Sequence, residues 1–328
     1  MTQENAVAKA KKAVLLVNLG SPEAPTVSAV RRFLRAFLGD PRVVNIPRPI
    51  WWLILNFFIL PFRPRKALHA YQKIWDPKGS PLSFLTKQLT GEVAKLFDSQ
   101  EVRVEYAMSY STPLIETRLK EFQQDNINDI LILPLYPQFS STTSASVHDC
   151  VVSEFKRRKY IPNFRFISDY ACHEDYIAAL AESISAARQN YTTDLLLFSF
   201  HGLPKQLTTW GDPYEYQCHA TAELVAAKLG LEKSQWKLVF QSRFGKAEWL
   251  KPYCVDTLME LPKQGVKHID VVCPGFAVDC LETLEEIAIA NQEVFLEAGG
   301  ESYHYIPALN DSPRHAQVLA NLIKSWLG

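Results

Sequence analysis

Cysteine pairs at redox or zinc spacing are the first thing this 328-residue sequence lacks. Its six cysteines stand at 150, 172, 218, 254, 273 and 280, and none forms Cys-x-x-Cys, which removes the zinc-ribbon and dithiol readings. Cys273 and Cys280 are the closest pair, at a spacing that fits no common metal motif, so the thiols read as buried in a reducing compartment. No Gly-x-Ser-x-Gly occurs, so a hydrolase built on a nucleophile elbow has no support. No His-x-x-x-His occurs either, so a permanently held metal lacks a familiar helical pair. Charge of one sign is not in excess: 35 Lys and Arg face 35 Asp and Glu, which gives no footprint for nucleic acid. No apolar run reaches the roughly 20 residues that span a bilayer. Met1 to Lys12 is polar, carries three lysines and has no apolar centre, unlike a secretory signal. A cytoplasmic protein is expected.

What is present suits a soluble globular chain, with 47% apolar and 21% charged residues and a length sufficient for two ordinary domains. Leu195-Leu196-Leu197-Phe198-Ser199-Phe200 is a short, pure apolar run that ends in His201-Gly202-Leu203-Pro204. Such a run predicts a strand buried on both faces, as in a parallel sheet. Ala13 to Leu19 is a second run of the same kind and ends in Gly20-Ser21-Pro22. The echo continues: Ile130–Leu133 leads to Tyr136-Pro137-Gln138-Phe139, and Ile269–Val272 leads to Cys273-Pro274-Gly275-Phe276. Paired echoes in one order predict two similar α/β domains. Helical spacing recurs over Ser28–Leu38, Leu82–Phe97, Tyr176–Arg188, Ala220–Leu229 and His315–Leu327, the rhythm of βαβ units. The last of these helices is expected to cross back onto the first domain. Ile50 to Leu60 breaks the rhythm, being almost wholly apolar between Arg48 and Arg63, Arg65 and Lys66. It is compatible with a core helix, an interfacial anchor or a lip over a ligand cleft.

Ligands of open α/β sheets bind at the carboxyl ends of the strands, which is where His201 falls. A capped or core histidine is the competing reading. Asp279, Glu282 and Glu286 are spaced three and four apart after another buried strand, which predicts three carboxylates on one helix face. They read either as acids serving the helix dipole or as a ladder that raises its own pKa values and passes protons. Imidazole with carboxylates would suit a borderline divalent metal such as iron, weakly held. Ser140, Ser141, Thr142, Thr143 and Ser144 read as helix caps or as carboxylate binders, and Trp249 as pocket wall or core.

Phe198-Ser199-Phe200-His201-Gly202-Leu203-Pro204 resembles the signature strand of the ferrochelatases, the terminal enzymes of haem synthesis. Six further segments resemble the family in order: Val17–Glu23, Gly79-Ser80-Pro81, Leu133–Ser140, Gly211-Asp212-Pro213-Tyr214, Phe240-Gln241-Ser242-Arg243 and Asp279–Glu286. The resemblance covers about residues 13–325. It implies a chelatase-like pair of Rossmann-like domains with parallel four-stranded sheets flanked by helices, over residues 13–165 (with the lip at 48–66) and 166–305, and a C-terminal helix in 306–328. It implies Fe²⁺ insertion into protoporphyrin IX, giving protohaem and two protons. His201 and Glu282 become the catalytic pair and the contacts of the incoming metal, with Asp279 and Glu286 extending the carboxylate route. Asn18, Leu19, Tyr110 and Trp249 fall at porphyrin-binding positions. Fe²⁺ is then a substrate, no cofactor stays bound, and peripheral contact of Ile50–Leu60 with the inner face of a membrane follows.

Two departures stand out. Where the family often has Met-Arg-Tyr, this chain has Met108-Ser109-Tyr110, so a cation is missing or supplied elsewhere. The cysteines of the iron–sulfur members have no counterpart at Ser141 or in Trp326-Leu327-Gly328, so no cluster is expected. Coproporphyrin as substrate is one rival, against which Leu19 and the apolar lip argue. A non-catalytic tetrapyrrole or metal carrier on the same scaffold is the other.

Overall fold

The structure, a computed structural model, describes residues 11–190, 193–245 and 247–327. The first ten residues of the polar N-terminal segment and Gly328 lie outside them. Eight strands form two sheets. β1 (Lys12–Asn18), β2 (Val102–Met108), β3 (Asp129–Pro134) and β4 (Asn163–Phe166) lie in the order β2-β1-β3-β4. β5 (Leu195–His201), β6 (Trp236–Gln241), β7 (His268–Val272) and β8 (Ser302–Ile306) lie in the order β6-β5-β7-β8. All pairings are parallel. The second sheet therefore repeats the first, as the sequence echoes predict. Even a detail recurs: Met108 N–H donates to the Pro113 carbonyl, and Phe240 N–H to the Pro252 carbonyl.

The helices are α1 (Val27–Gly39), α2 (Arg48–Ile54), α3 (Arg63–Ile74), α4 (Pro81–Ala94), α5 (Ile115–Gln124), α6 (Ser144–Phe155), α7 (Glu174–Ala187), α8 (Lys205–Thr209), α9 (Tyr214–Lys228), α10 (Cys254–Glu260), α11 (Gln292–Glu297) and α12 (Pro313–Leu327). Thr26 caps α1 by accepting from Ala29 N–H, and proline opens α2, α3 and α4, where its missing N–H costs nothing. A π-helical turn, Leu55–Ile59, prolongs α2, and a longer π-helix, Glu282–Asn291, runs into α11. α12 packs on both α4 and α7.

Strand alternation sorts the core. Val14 and Leu16 of β1 join Leu196, Phe198 and Phe200 of β5 in one cluster that runs between the sheets. Ala13, Leu15 and Val17 face a second cluster with α5 and α6. Leu195 and Leu197 face a third, with α10, Ile287 and Phe295. By the same alternation His201 lies on the face of β5 that looks toward Glu282–Asn291.

Two open readings narrow and one expectation changes. Ile50–Leu60 is not a core helix: Trp51, Leu55 and Leu60 are buried against α1 and α3, while Ile50, Trp52, Leu53, Phe57 and Phe58 are exposed. Thr143 makes no side-chain cap to α6; instead Ser140 Oγ, Ser141 Oγ and Ser141 N–H donate to Asp212 Oδ2 at 3.0, 2.7 and 2.7 Å. The hydroxyls thus hold a carboxylate of the other half of the chain, which a helix dipole alone would not fix. Among the cysteines, Cys172 is exposed and Cys150 half-buried, whereas Cys218, Cys254, Cys273 and Cys280 are buried.

Candidate active site

His201 closes β5 and is half-buried. Its Nδ1 lies 2.7 Å from the Gly202 carbonyl oxygen. A carbonyl only accepts, so Nδ1 is the nitrogen that carries a proton, and Nε2 is the one that can accept another. Gly202 is fixed by close approach: a Cβ there would sit 2.6 Å from the Gln241 carbonyl oxygen and 3.2 Å from Trp249 Cε3. At the matching turn, Gly20 has φ +95° and a Cβ would fall 2.4 Å from Ser111 Oγ, so neither turn accepts a side chain.

Gln241 pairs with His201 across the β5–β6 ladder and is the residue that sequence reasoning passed over. Its Oε1 accepts from Ser199 Oγ at 2.8 Å, and its Nε2 donates to the Glu282 carbonyl at 3.0 Å and to Glu286 Oε2 at 3.4 Å. This buried amide thereby ties the histidine strand to the glutamate helix. Ser242 N–H donates to Glu286 Oε1 at 2.7 Å, and Ser242 Oγ donates to Oε2. Burial nonetheless raises the Glu286 pKa, against the Ser242 bonds and the nearby His201. Desolvation wins because a carboxylate out of water loses more than these donors return.

The three carboxylates do not share one helix face. Residues 279 and 280 are not helical, and the helix that begins at Glu282 is of the π type, whose i→i+5 bonding breaks the three-and-four rule. Asp279 is buried below that helix. Its Oδ1 accepts from Thr283 Oγ1 at 2.9 Å and Tyr305 Oη at 2.5 Å, and its Oδ2 from Asn310 Nδ2 at 2.7 Å. Glu286 remains near His201, and Glu282 lies near Glu286. Among the described residues, no three His, Cys, Asp or Glu side chains converge as a metal-holding group.

The residues expected at porphyrin-binding positions fall into two sets. Asn18 is buried, its amide donating to Thr86 Oγ1 at 3.0 Å and its Oδ1 accepting from Leu19 N–H at 2.8 Å. Tyr110 N–H donates to the Leu19 carbonyl, and Tyr110 Oη donates to Asp40 Oδ2 at 2.8 Å. Beside Tyr110 opens a cavity of about 290 Å³ whose wall includes Phe33, Ser109 and Arg32, so a cation does reach the neighbourhood of Ser109. Trp249 stands apart from these, against Gly202, and its buried Nε1 has no hydrogen-bond partner among the described residues.

The lip joins the first of these sets to the glutamate helix. Leu19, Tyr110 and Leu281 all border the cluster built by α1, α2 and α3. Lys73 of α3 pairs with Glu285 at 2.8 Å, and Glu282 lies close enough to Tyr71 to add to the upward shift that burial gives its hydroxyl pKa. Tyr71 and Lys73 are some 210 residues from their partners, and no local pattern announces them.

The Ferrochelatase family profile matches residues 11–327. A ferrochelatase of Methylococcus capsulatus is 53% identical over 97% of both chains, and one of Nitrosococcus oceani is 48% identical over 97% of this chain and 87% of its own. Among solved structures, the fold is similar to SirB from Bacillus subtilis with Fe³⁺, at TM-score 0.59 and 12% identity over 96% and 95% of the two chains. It is also similar to CbiX, the terminal enzyme for siroheme biosynthesis in denitrifying bacteria, at TM-score 0.53 and 15% identity over 96% and 100%. The duplicated sheet, the strand-end histidine and a match that runs nearly from end to end lead to one assignment: the chain belongs to the ferrochelatase family.

Proposed function

We propose that this protein inserts Fe²⁺ into protoporphyrin IX, releasing protohaem and two protons, with His201 and Glu282 on either side of the exchange. The observation that carries the reading is the proton-accepting Nε2 of His201 at a strand end tied through Gln241 to Glu282 and Glu286. A porphyrin keeps its lone pairs in the ring plane and must shed two inner N–H protons. His201 Nε2 takes a proton, as a side chain that ordinarily changes charge near neutral pH can do repeatedly. Glu286 faces the imidazolium so formed, and its raised pKa suits it to accept and pass the proton on. Glu282 offers oxygen to the incoming iron, which must not be held so tightly that it stays. Asp279, engaged by Thr283, Tyr305 and Asn310, anchors the start of the glutamate helix.

The apolar face of the lip supports a peripheral membrane contact: Trp52 is 58% exposed, Phe58 71% and Phe62 72%. Among the described residues no helix is long and apolar enough to cross a membrane, so the contact is one of lying on the surface. The test of function is metal insertion into protoporphyrin IX and coproporphyrin by wild type and His201→Ala. We expect turnover with protoporphyrin and a loss of about 10²–10⁴-fold in the variant. Full activity without the imidazole refutes the mechanism, and a preference for coproporphyrin refutes the substrate.

A further inference from the structure

The chain is neutral as a whole, yet residues 27–75 hold nine Lys or Arg and a single Asp. That segment is α1, the lip and α3. Between α1 and the lip lies a cavity of about 320 Å³ lined by Arg35, Arg48, Trp52, Leu55 and Asn56, with Trp51 and Gly39 completing the wall and no carboxylate among them. Arg48 donates one guanidinium N–H to the Gly39 carbonyl, which leaves most of its five donors for something else. Arg35 makes no hydrogen bond or ion pair among the described residues. Trp51 Nε1 is already satisfied by the Leu38 carbonyl at 2.6 Å, so that indole serves as wall. The Asn56 amide donates to the Trp52 carbonyl at 2.9 Å and keeps its own oxygen as an acceptor. Two guanidinium groups match the oxygens of a phosphate, and the amide oxygen suits a neighbouring hydroxyl. The cavity opens beside Trp52, itself one of the exposed apolar residues of the lip.

We propose that this cavity takes the headgroup of an anionic glycerophospholipid, so that Arg35 and Arg48 grip the phosphate while the lip lies against the acyl layer. The proposal rests on the membrane reading of the lip and makes it specific. Charge complementarity selects the occupant: on a zwitterionic surface each phosphate is already balanced by its own choline cation, and a soluble phosphate would have no use for the apolar face.

Co-sedimentation with vesicles tests it, comparing phosphatidylcholine alone with phosphatidylcholine containing phosphatidylglycerol. The wild type should bind both and prefer the second. Arg35→Gln/Arg48→Gln should lose more than about 30-fold on the anionic vesicles, since diffuse attraction alone gives each cation about 1 kcal/mol at such a surface and a gripped phosphate adds charge-assisted hydrogen bonds, and nothing on the neutral ones. Arg65→Gln/Lys66→Gln removes as much charge from the same segment outside the cavity and should lose clearly less. Equal losses in the two double variants would mean diffuse attraction and overturn the site. Binding of inorganic phosphate alone at the affinity of the vesicles would overturn the lipid assignment. If the wild type binds both vesicles equally, the headgroup site falls and the membrane reading stands; if it binds neither, both fall. Trp52→Ser should weaken binding to both vesicle types, and retained iron insertion in solution shows that each variant is folded.

Discussion

Asp279 and Asn310 hold each other by two bonds: Asn310 Nδ2 donates to Asp279 Oδ2 at 2.7 Å, and Asp279 N–H donates to Asn310 Oδ1 at 2.8 Å. The carbonyl of the same Asn310 receives Nδ1–H of the buried His315 on α12 at 2.6 Å. The approach to the glutamate helix is thus braced from the C-terminal helix. Asn310→Gly, which keeps the left-handed backbone of that position (φ +48°) without strain, leaves a buried carboxylate short of a donor and should cost about 1.5–3 kcal/mol, read from the urea midpoint. A loss under about 0.5 kcal/mol would show that Thr283 and Tyr305 suffice.

In the proposed mechanism Gln241 positions the reacting groups without being one of them. Gln241→Leu keeps the bulk but removes the ties to Ser199, Glu282 and Glu286. The expected result is a fall in kcat of about 10–100-fold, with the porphyrin KM little changed. A change confined to KM would place Gln241 in binding instead.

Two glycines should respond with opposite signs. Gly202→Ala drives a methyl against the Gln241 carbonyl at 2.6 Å and should destabilise by about 1–3 kcal/mol. Gly91, exposed near the end of α4, has nothing within 4 Å of a built Cβ. Gly91→Ala should therefore stabilise by about 0.5–1 kcal/mol. Thermal unfolding of both variants settles the contrast.

Acid should find His315 early. Burial lowers its pKa from 6.5 to about 4, despite the Asn310 carbonyl that favours the charged form. Between those values the unfolded chain binds a proton that the folded chain refuses, so stability falls as pH drops from 6.5 toward 4, by about 3 kcal/mol in all. His315→Gln, which cannot titrate, should flatten this part of the profile. An unchanged slope in denaturant titrations across that range would assign the acid loss to other groups.

The strands legible in the sequence, β1, β3, β5 and β7, are the four central ones; the four that were not, β2, β4, β6 and β8, are the edges. Central parallel strands are buried on both faces and read as continuous apolar runs. Edge strands carry charge and partial exposure, as Val102–Met108 and Asn163–Phe166 do, and lose the signal. The site divides in the same way. His201 and the carboxylates announce themselves by local context and by family resemblance. Gln241 has its meaning only through residues 41 to 45 positions away, and Tyr71 and Lys73 through contacts that close the lip over the second half. The π geometry at Glu282, which takes Asp279 off the expected face, leaves no mark in residue spacing, because the same amphipathic pattern serves an α-helix.

The duplicated sheet has a last consequence. The same Gly-x-Pro sequence follows β1 and β5, with only Gly20 at positive φ, and the residue before the glycine is Leu19 in one copy and His201 in the other. One frame is built twice, with an apolar side chain before the glycine in one copy and an imidazole in the other. A flat macrocycle between the copies would meet unlike chemistry on its two faces. Pseudosymmetry broken at one site would then give the reaction its sidedness: support from one face, and protons exchanged from the other.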